Sequence, residues 1–141
     1  MLAGKQKVLS LIPQKQPMAM VDGLLEWNRD KTVSTLTIET DNLFVEDGFF
    51  KEPGLIEHIA QTAALASGFE ADKLNLKPRT GFIGSVKRMK IFSLPEVGQT
   101  LVTKMTVLMN MENISVIKGE VSVNGIPVAE GEMNIFLQEK P

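Results

Sequence analysis

The sequence contains no cysteine and only one histidine, His58. The first absence removes disulfides, cysteine nucleophiles and zinc-thiolate centres from consideration. The second removes any mechanism that needs two histidines from one chain, and any metal site built mainly on imidazole. No metal ion and no cofactor is therefore expected. Neither charge is in marked excess: 15 Lys and Arg stand against 17 Asp and Glu, a formal net charge of −2. A nucleic-acid surface would call for a basic excess and a disordered tail for an acidic one, so neither nucleic acid nor disorder is expected. Long apolar runs are also missing. The first ten residues lack the apolar core of a secretory signal, and no stretch approaches the roughly 18 apolar residues of a membrane span. The expectation is a cytoplasmic protein with no membrane span.

What is present is enough for one core. The chain has 141 residues, 43% of them apolar, and a chain near this length buries roughly 70% of its unfolded surface. No repeat, low-complexity segment or linker divides it, so residues 1–141 read as one domain. A short amphipathic helix is predicted over Lys5 to Ile12, stopped by Pro13. Met18 to Trp27 and Lys31 to Thr40 read as a hairpin about the Asn28-Arg29-Asp30 turn. Asp41 to Glu52 reads as an aromatic-rich loop. Pro53 to Phe69 is the one long helix, with proline in its first turn and Gly68 near its end. Strands follow over Thr80 to Ile91, Thr100 to Met109, Asn113 to Val123 and Ile126 to Leu137, the last two joined by the hairpin signal Asn124-Gly125. Because PGLIEHIAQTAALASGF is apolar or small on nearly every face, the helix should be buried. These elements predict an α+β fold: about six antiparallel strands in a curved sheet wrapped around one central helix, the hot-dog arrangement.

Chemistry-bearing residues concentrate at the start of that helix. Glu57 and Gln61 are four apart and share a face, while His58 is rotated about 100° away. A buried carboxylate costs several kcal/mol unless paired or protonated, so Glu57 must face a partner, a cavity or water. A core hydrogen bond and a catalytic proton relay both answer that demand. Pro53-Gly54 offers main-chain N–H groups with no side chain at Gly54, which suits either an oxyanion or a turn. His58 is open to a catalytic or a hydrogen-bonded structural reading. The basic cluster Lys87-Arg88-Met89-Lys90 reads as a solvated strand edge or as a patch for an acidic partner or a phosphate.

Four segments, in order, carry a resemblance. IPQKQPMAMVDGLLEW, EPGLIEHIAQTAALASGF, GFIGSVKRMKIFSLPEVGQTL and GIPVAEGEMNIFL together resemble the FabA/FabZ-type 3-hydroxyacyl-acyl carrier protein dehydratases over nearly the whole chain. The resemblance implies a hot-dog homodimer, or a higher assembly of dimers. Its active sites would lie in interface tunnels, each pairing the helix carboxylate of one subunit with a loop histidine of the other. It implies an acyl carrier protein or a CoA-linked acyl thioester as partner. By position Glu57 matches the family acid, followed by the Ala60-Gln61 pair, and Gly54 matches the glycine that polarises the thioester carbonyl, in a shortened loop. Gly48, Phe49, Phe50 and Gln61 fall where substrate is bound. The family's G-H-F-P-G loop corresponds to Glu46-Asp47-Gly48-Phe49-Phe50-Lys51, and it holds no histidine. Three expectations follow: Glu57 performs both proton transfers, Asp47 or His58 substitutes, or dehydration is lost and the acyl tunnel kept. The implied reaction is loss of water from a (3R)-3-hydroxyacyl thioester to give a trans-2-enoyl thioester. The alternatives are thioester hydrolysis on the same fold and a non-catalytic acyl-binding subunit that partners a histidine-bearing homologue.

Overall fold

Along the strands the side chains alternate between two faces. Leu101, Thr103 and Met105 of one strand and Ile117, Gly119, Val121 and Val123 of the next are buried, while the residues between them are more exposed. The computed structural model of the chain describes residues 1–77 and 79–138. Its elements are α1 (Lys5–Leu11), β1 (Gly23–Trp27), β2 (Lys31–Thr37), β3 (Val45–Glu46), β4 (Phe49–Phe50) and α2 (Glu52–Lys73). They are followed by β5 (Gly81–Ile91), β6 (Thr100–Asn110), β7 (Ile114–Val123) and β8 (Ile126–Leu137). Six strands form an antiparallel sheet in the order β1-β2-β6-β7-β8-β5, and β3 with β4 makes a separate small ribbon. The expected α+β architecture is the one observed.

The central helix lies across this sheet and touches β2, β6, β8 and β5. From β2 to β5 is four strand spacings, about 19 Å in a flat sheet, whereas a helix with its side chains is about 10–12 Å across. The sheet must therefore curve around α2. Ile59 seats directly over Gly119 of β7, where a Cβ atom would meet the isoleucine side chain. The main core fills the concavity with Leu55, Ile59, Leu101, Ile117 and Met133. A second cluster, including Val8, Leu11, Leu24 and Leu65, lies under α1.

Three boundaries differ from the sequence reading, each for a physical reason. The first strand begins at Gly23, not Met18, because the main chain at Met18 and Met20 bonds to side chains of α2 and not to a neighbouring strand. The aromatic loop contains the β3-β4 ribbon, turned by Asp47 and Gly48, both at positive φ as such a two-residue turn requires. The central helix runs on to Lys73. Gly68 does not end it, since its missing side chain serves contact with α1: a Cβ there would overlap the Leu11 carbonyl oxygen.

The β5 edge carries the basic cluster. Lys87, Arg88 and Lys90 are exposed there, Arg88 pairs with Glu132, and Arg88 sits at φ 53° where the pairing with β8 slips register.

Helix propensity and packing make opposite predictions at Gly68. Alanine favours a helix interior by about 1 kcal/mol, but forcing an atom into a packed contact costs typically about 1–3 kcal/mol, and here the obstacle is main chain. Gly68→Ala is expected to lower stability in urea denaturation. A gain in stability would show that α1 is not held against α2 as described.

Candidate active site

The Met18–Met20 segment has main-chain polar groups with no strand to satisfy them. Two side chains from consecutive turns of α2 do so. Gln61 Oε1 accepts the Met20 N–H at 2.7 Å, and Gln61 Nε2 donates to the Met18 carbonyl at 2.8 Å. The N–H must meet an oxygen and the carbonyl a nitrogen, so the amide cannot be flipped. Its remaining N–H donates to Glu57 Oε2 at 2.8 Å. Glu57 is thus held by one oxygen, while Oε1 has no donor among the described residues.

The neighbouring His58 grips the same loop from a different face of the helix. Its Nδ1 lies 2.8 Å from the Met20 carbonyl oxygen and its Nε2 2.8 Å from Thr103 Oγ1. A carbonyl only accepts, so Nδ1 carries the hydrogen and Nε2 accepts from the threonine hydroxyl. The ring is fully buried. Burial lowers its pKa from the ordinary 6.5 to about 4, the bond to Met20 opposing part of that shift. The catalytic reading of His58 is therefore corrected. Both nitrogens are occupied, the ring is sealed in the interior, and its work is to anchor the loop to α2 and β6.

Glu57 is half-buried and lines two cavities. One, of about 550 Å³, runs along the side of α2 past Ala60, Ala63 and Ser67, with Met105, Val107 and Ile117 on the sheet side. That volume falls within the range of small-molecule sites. The helix is consequently not buried all round, as its composition led one to expect. One side packs in the core, while Ala60, Ala63 and Ser67 border open space because their side chains are too small to fill it. The second cavity, about 460 Å³ and more open, lies at the helix start against Phe44, Pro53 and Ile56. Glu57 is the residue the two share.

The other expected site residues fall elsewhere. The Gly54 N–H donates to the Lys51 carbonyl at 2.9 Å, so it is not a free oxyanion donor. A Cβ at Gly54 would lie 2.6 Å from the Phe50 ring and 2.7 Å from Phe44 Cβ, so aromatic packing accounts for the glycine. Phe50 is fully buried beneath it. Asp47 and Gly48 form the exposed ribbon turn, and Phe49 is partly exposed with Lys51 Nζ 5.7 Å above its ring. None of these five lines either cavity beside Glu57. Gln61 touches the carboxylate but spends its whole amide on the protein, so it positions Glu57. The sequence reading missed the Met18–Met20 partnership. Its only trace in the sequence is a polar pair on an otherwise apolar helix.

Among the described residues no helix is long and apolar enough to cross a membrane. Residues 6–141 match the family model for ApeP-like proteins, described as ApeP dehydratase. A 3-hydroxyacyl-[acyl-carrier-protein] dehydratase FabZ from Methylobacterium nodulans is 30% identical over 138 residues, 93% of this chain and 86% of the relative. The structure is similar to that of the dehydratase heterocomplex ApeI:P from Xenorhabdus doucetiae, with a TM-score of 0.88 at 20% identity over 94% of this chain and 91% of that one. It is similar, too, to a hypothetical thioesterase with coenzyme A from Streptococcus pneumoniae, at TM-score 0.65 and 12% identity over 84% of this chain and 86% of that one. These two structural likenesses concern the fold.

The His58 arrangement sets a pH dependence. Its folded pKa is depressed, so the unfolded chain binds the extra proton between pH 6.5 and about 4. The stabilisation is complete above 6.5 and is lost as pH falls toward 4, by about 3 kcal/mol in all. His58→Leu should be less stable at pH 7 and should lack this component in pH-dependent denaturation. An unchanged slope in the variant would place the acid sensitivity elsewhere.

Proposed function

The chain belongs to the ApeP-like dehydratase family, and from that premise we propose that it supplies one half of a 3-hydroxyacyl-thioester dehydratase site. The observation that carries this reading is Glu57, held through one oxygen by Gln61 at the junction of two cavities, with no histidine among the described residues that line them. In the proposed reaction the acyl chain lies in the larger cavity and the carrier arm leaves by the more open one. Glu57 gives its Oε1 proton to the C3 hydroxyl, which departs as water while a base takes the C2 proton. The electron pair of the C2–H bond becomes the new double bond, giving the 2-enoyl thioester.

That base is the missing part. With His58 fully engaged, Asp47 lining neither cavity and Glu52 exposed to solvent, we assign it to a histidine of a partner subunit, in a heterodimer with a histidine-bearing homologue. The dehydratase heterocomplex among the structural relatives supports this choice. The β5 edge supports it as well. Phe82 and Ile83 are exposed there on a strand with one side unpaired among the described residues, which favours strand addition by another subunit. Both residues also line the larger cavity, so pairing at β5 would bring a partner's residues to its wall.

Loss of a general base typically costs about 10²- to 10⁴-fold. The purified chain alone should therefore dehydrate a 3-hydroxyacyl carrier-protein substrate slowly or not at all, and addition of a histidine-bearing homologue should restore the reaction. Glu57→Gln should abolish the restored activity with little change in melting temperature. Full turnover by the chain alone would overturn the shared-site reading, and undiminished turnover by Glu57→Gln would remove Glu57 from the chemistry. Release of free thiol without an enoyl product would assign thioester hydrolysis instead.

A further inference from the structure

Two buried hydroxyls face the central helix from neighbouring strands. Ser34 of β2 and Thr103 of β6 are register partners, and neither is exposed. Ser34 Oγ lies 2.7 Å from Thr62 Oγ1, and Thr62 donates in turn to the His58 carbonyl at 3.0 Å, so that path ends in the helix main chain. Thr103 starts a different path. Its hydroxyl donates to His58 Nε2, His58 Nδ1 to the Met20 carbonyl, the Met20 N–H to Gln61 Oε1 and Gln61 Nε2 to Glu57 Oε2, at 2.8, 2.8, 2.7 and 2.8 Å. Every donor in it points toward Glu57. No proton can be handed along, because the N–H and the carbonyl of Met20 belong to different peptide units. The path transmits position.

We propose that Thr103 is a positioning residue for the Glu57 carboxylate, acting from the sheet through His58, Met20 and Gln61. The inference rests on the reading of Glu57 as a proton-transfer group. The outer torsion of an imidazole is broad and roughly two-fold, so a single bond at Nδ1 leaves the ring free to pivot. Thr103 holds the opposite nitrogen and fixes the ring plane. The ring sets where the Met20 carbonyl lies, and Gln61 grips Met20 by its other polar group. Gln61 is in turn the donor that holds Glu57, with no other donor to that carboxylate among the described residues. Without the Thr103 hydroxyl, Nε2 is a buried acceptor with no donor, and the ring turns away from the position that the rest of the path requires.

The register partner supplies the control. Thr103→Val and Thr103→Ala remove the hydroxyl with and without the β-branch, Thr103→Ser keeps it, and Ser34→Ala removes the neighbouring hydroxyl whose path ends elsewhere. All are compared by NMR in the full chain at a temperature where each is folded. His58 is the only histidine, so its ring nitrogen signals are unambiguous. Thr103→Val and Thr103→Ala should shift Nε2, move the Glu57 carboxyl resonance, and speed hydrogen exchange at the Met20 N–H and the Gln61 side-chain amide about fivefold, the equivalent of one ordinary hydrogen bond. Thr103→Ser should leave these signals in place, and Ser34→Ala should move neither Gln61 nor Glu57. In the complex with a histidine-bearing homologue, the hydroxyl-free variants should lower kcat by up to about 10²-fold at unchanged KM, and Thr103→Ser should restore it. Gln61 and Glu57 signals that stay in place without the hydroxyl, or that move as far in Ser34→Ala, overturn the role of Thr103. Undiminished kcat in the hydroxyl-free variants overturns it too and leaves the site reading standing. An unaltered complex that does not turn over removes the dehydratase reading, and the NMR signals then decide by themselves whether Thr103 holds the carboxylate.

Discussion

One side-chain amide organises the site. Gln61 accepts from the Met20 N–H, donates to the Met18 carbonyl and donates to Glu57. The first two bonds satisfy main-chain groups of the Met18–Met20 segment, and for the buried Met20 N–H an absent partner would cost about 1–3 kcal/mol. They also fix which end of the amide faces the carboxylate. Glu57 is therefore presented by a structural bond that the protein needs in any case, and its free oxygen is left at the cavity junction. His58, one residue along the helix, closes the same clamp through Met20 and Thr103.

This arrangement separates two roles that a polar triplet on one helix seems to merge. The imidazole is spent inside, neutral and saturated, where it ties a loop, a helix and a strand together. The carboxylate stands outside the core, where the helix presents alanines and a serine to the larger cavity. Small residues there leave a chamber because the curved sheet holds its own side chains at a distance, with Ile59 over Gly119 setting how closely helix and sheet approach.

The strands and the central helix were legible because they follow simple periodicities. Alternating burial in β6 and β7 and the Asn124-Gly125 turn are local signals, and Pro53 marks the helix start. Errors came where a local signal had a tertiary explanation. Gly68 reads as a helix end but marks the contact with Leu11. Gly54 reads as an oxyanion donor but makes room for Phe50 and Phe44. Asp47-Gly48 is a turn signal that lay unread between aromatics taken as loop.

Composition and spacing alone determined the fold class, the exclusion of cysteine and multi-histidine chemistry, and the placing of Glu57 and Gln61 on one helical face, since these depend only on residue identity and the 3.6-residue repeat. Tertiary structure alone decided what each polar group touches. Whether His58 is a base or an anchor, and that Met18 to Met20 are held by the helix instead of a strand, both depend on partners 38 to 45 residues away in sequence. No local pattern encodes such a partner, because the hydrogen bond exists only after the sheet has closed around the helix.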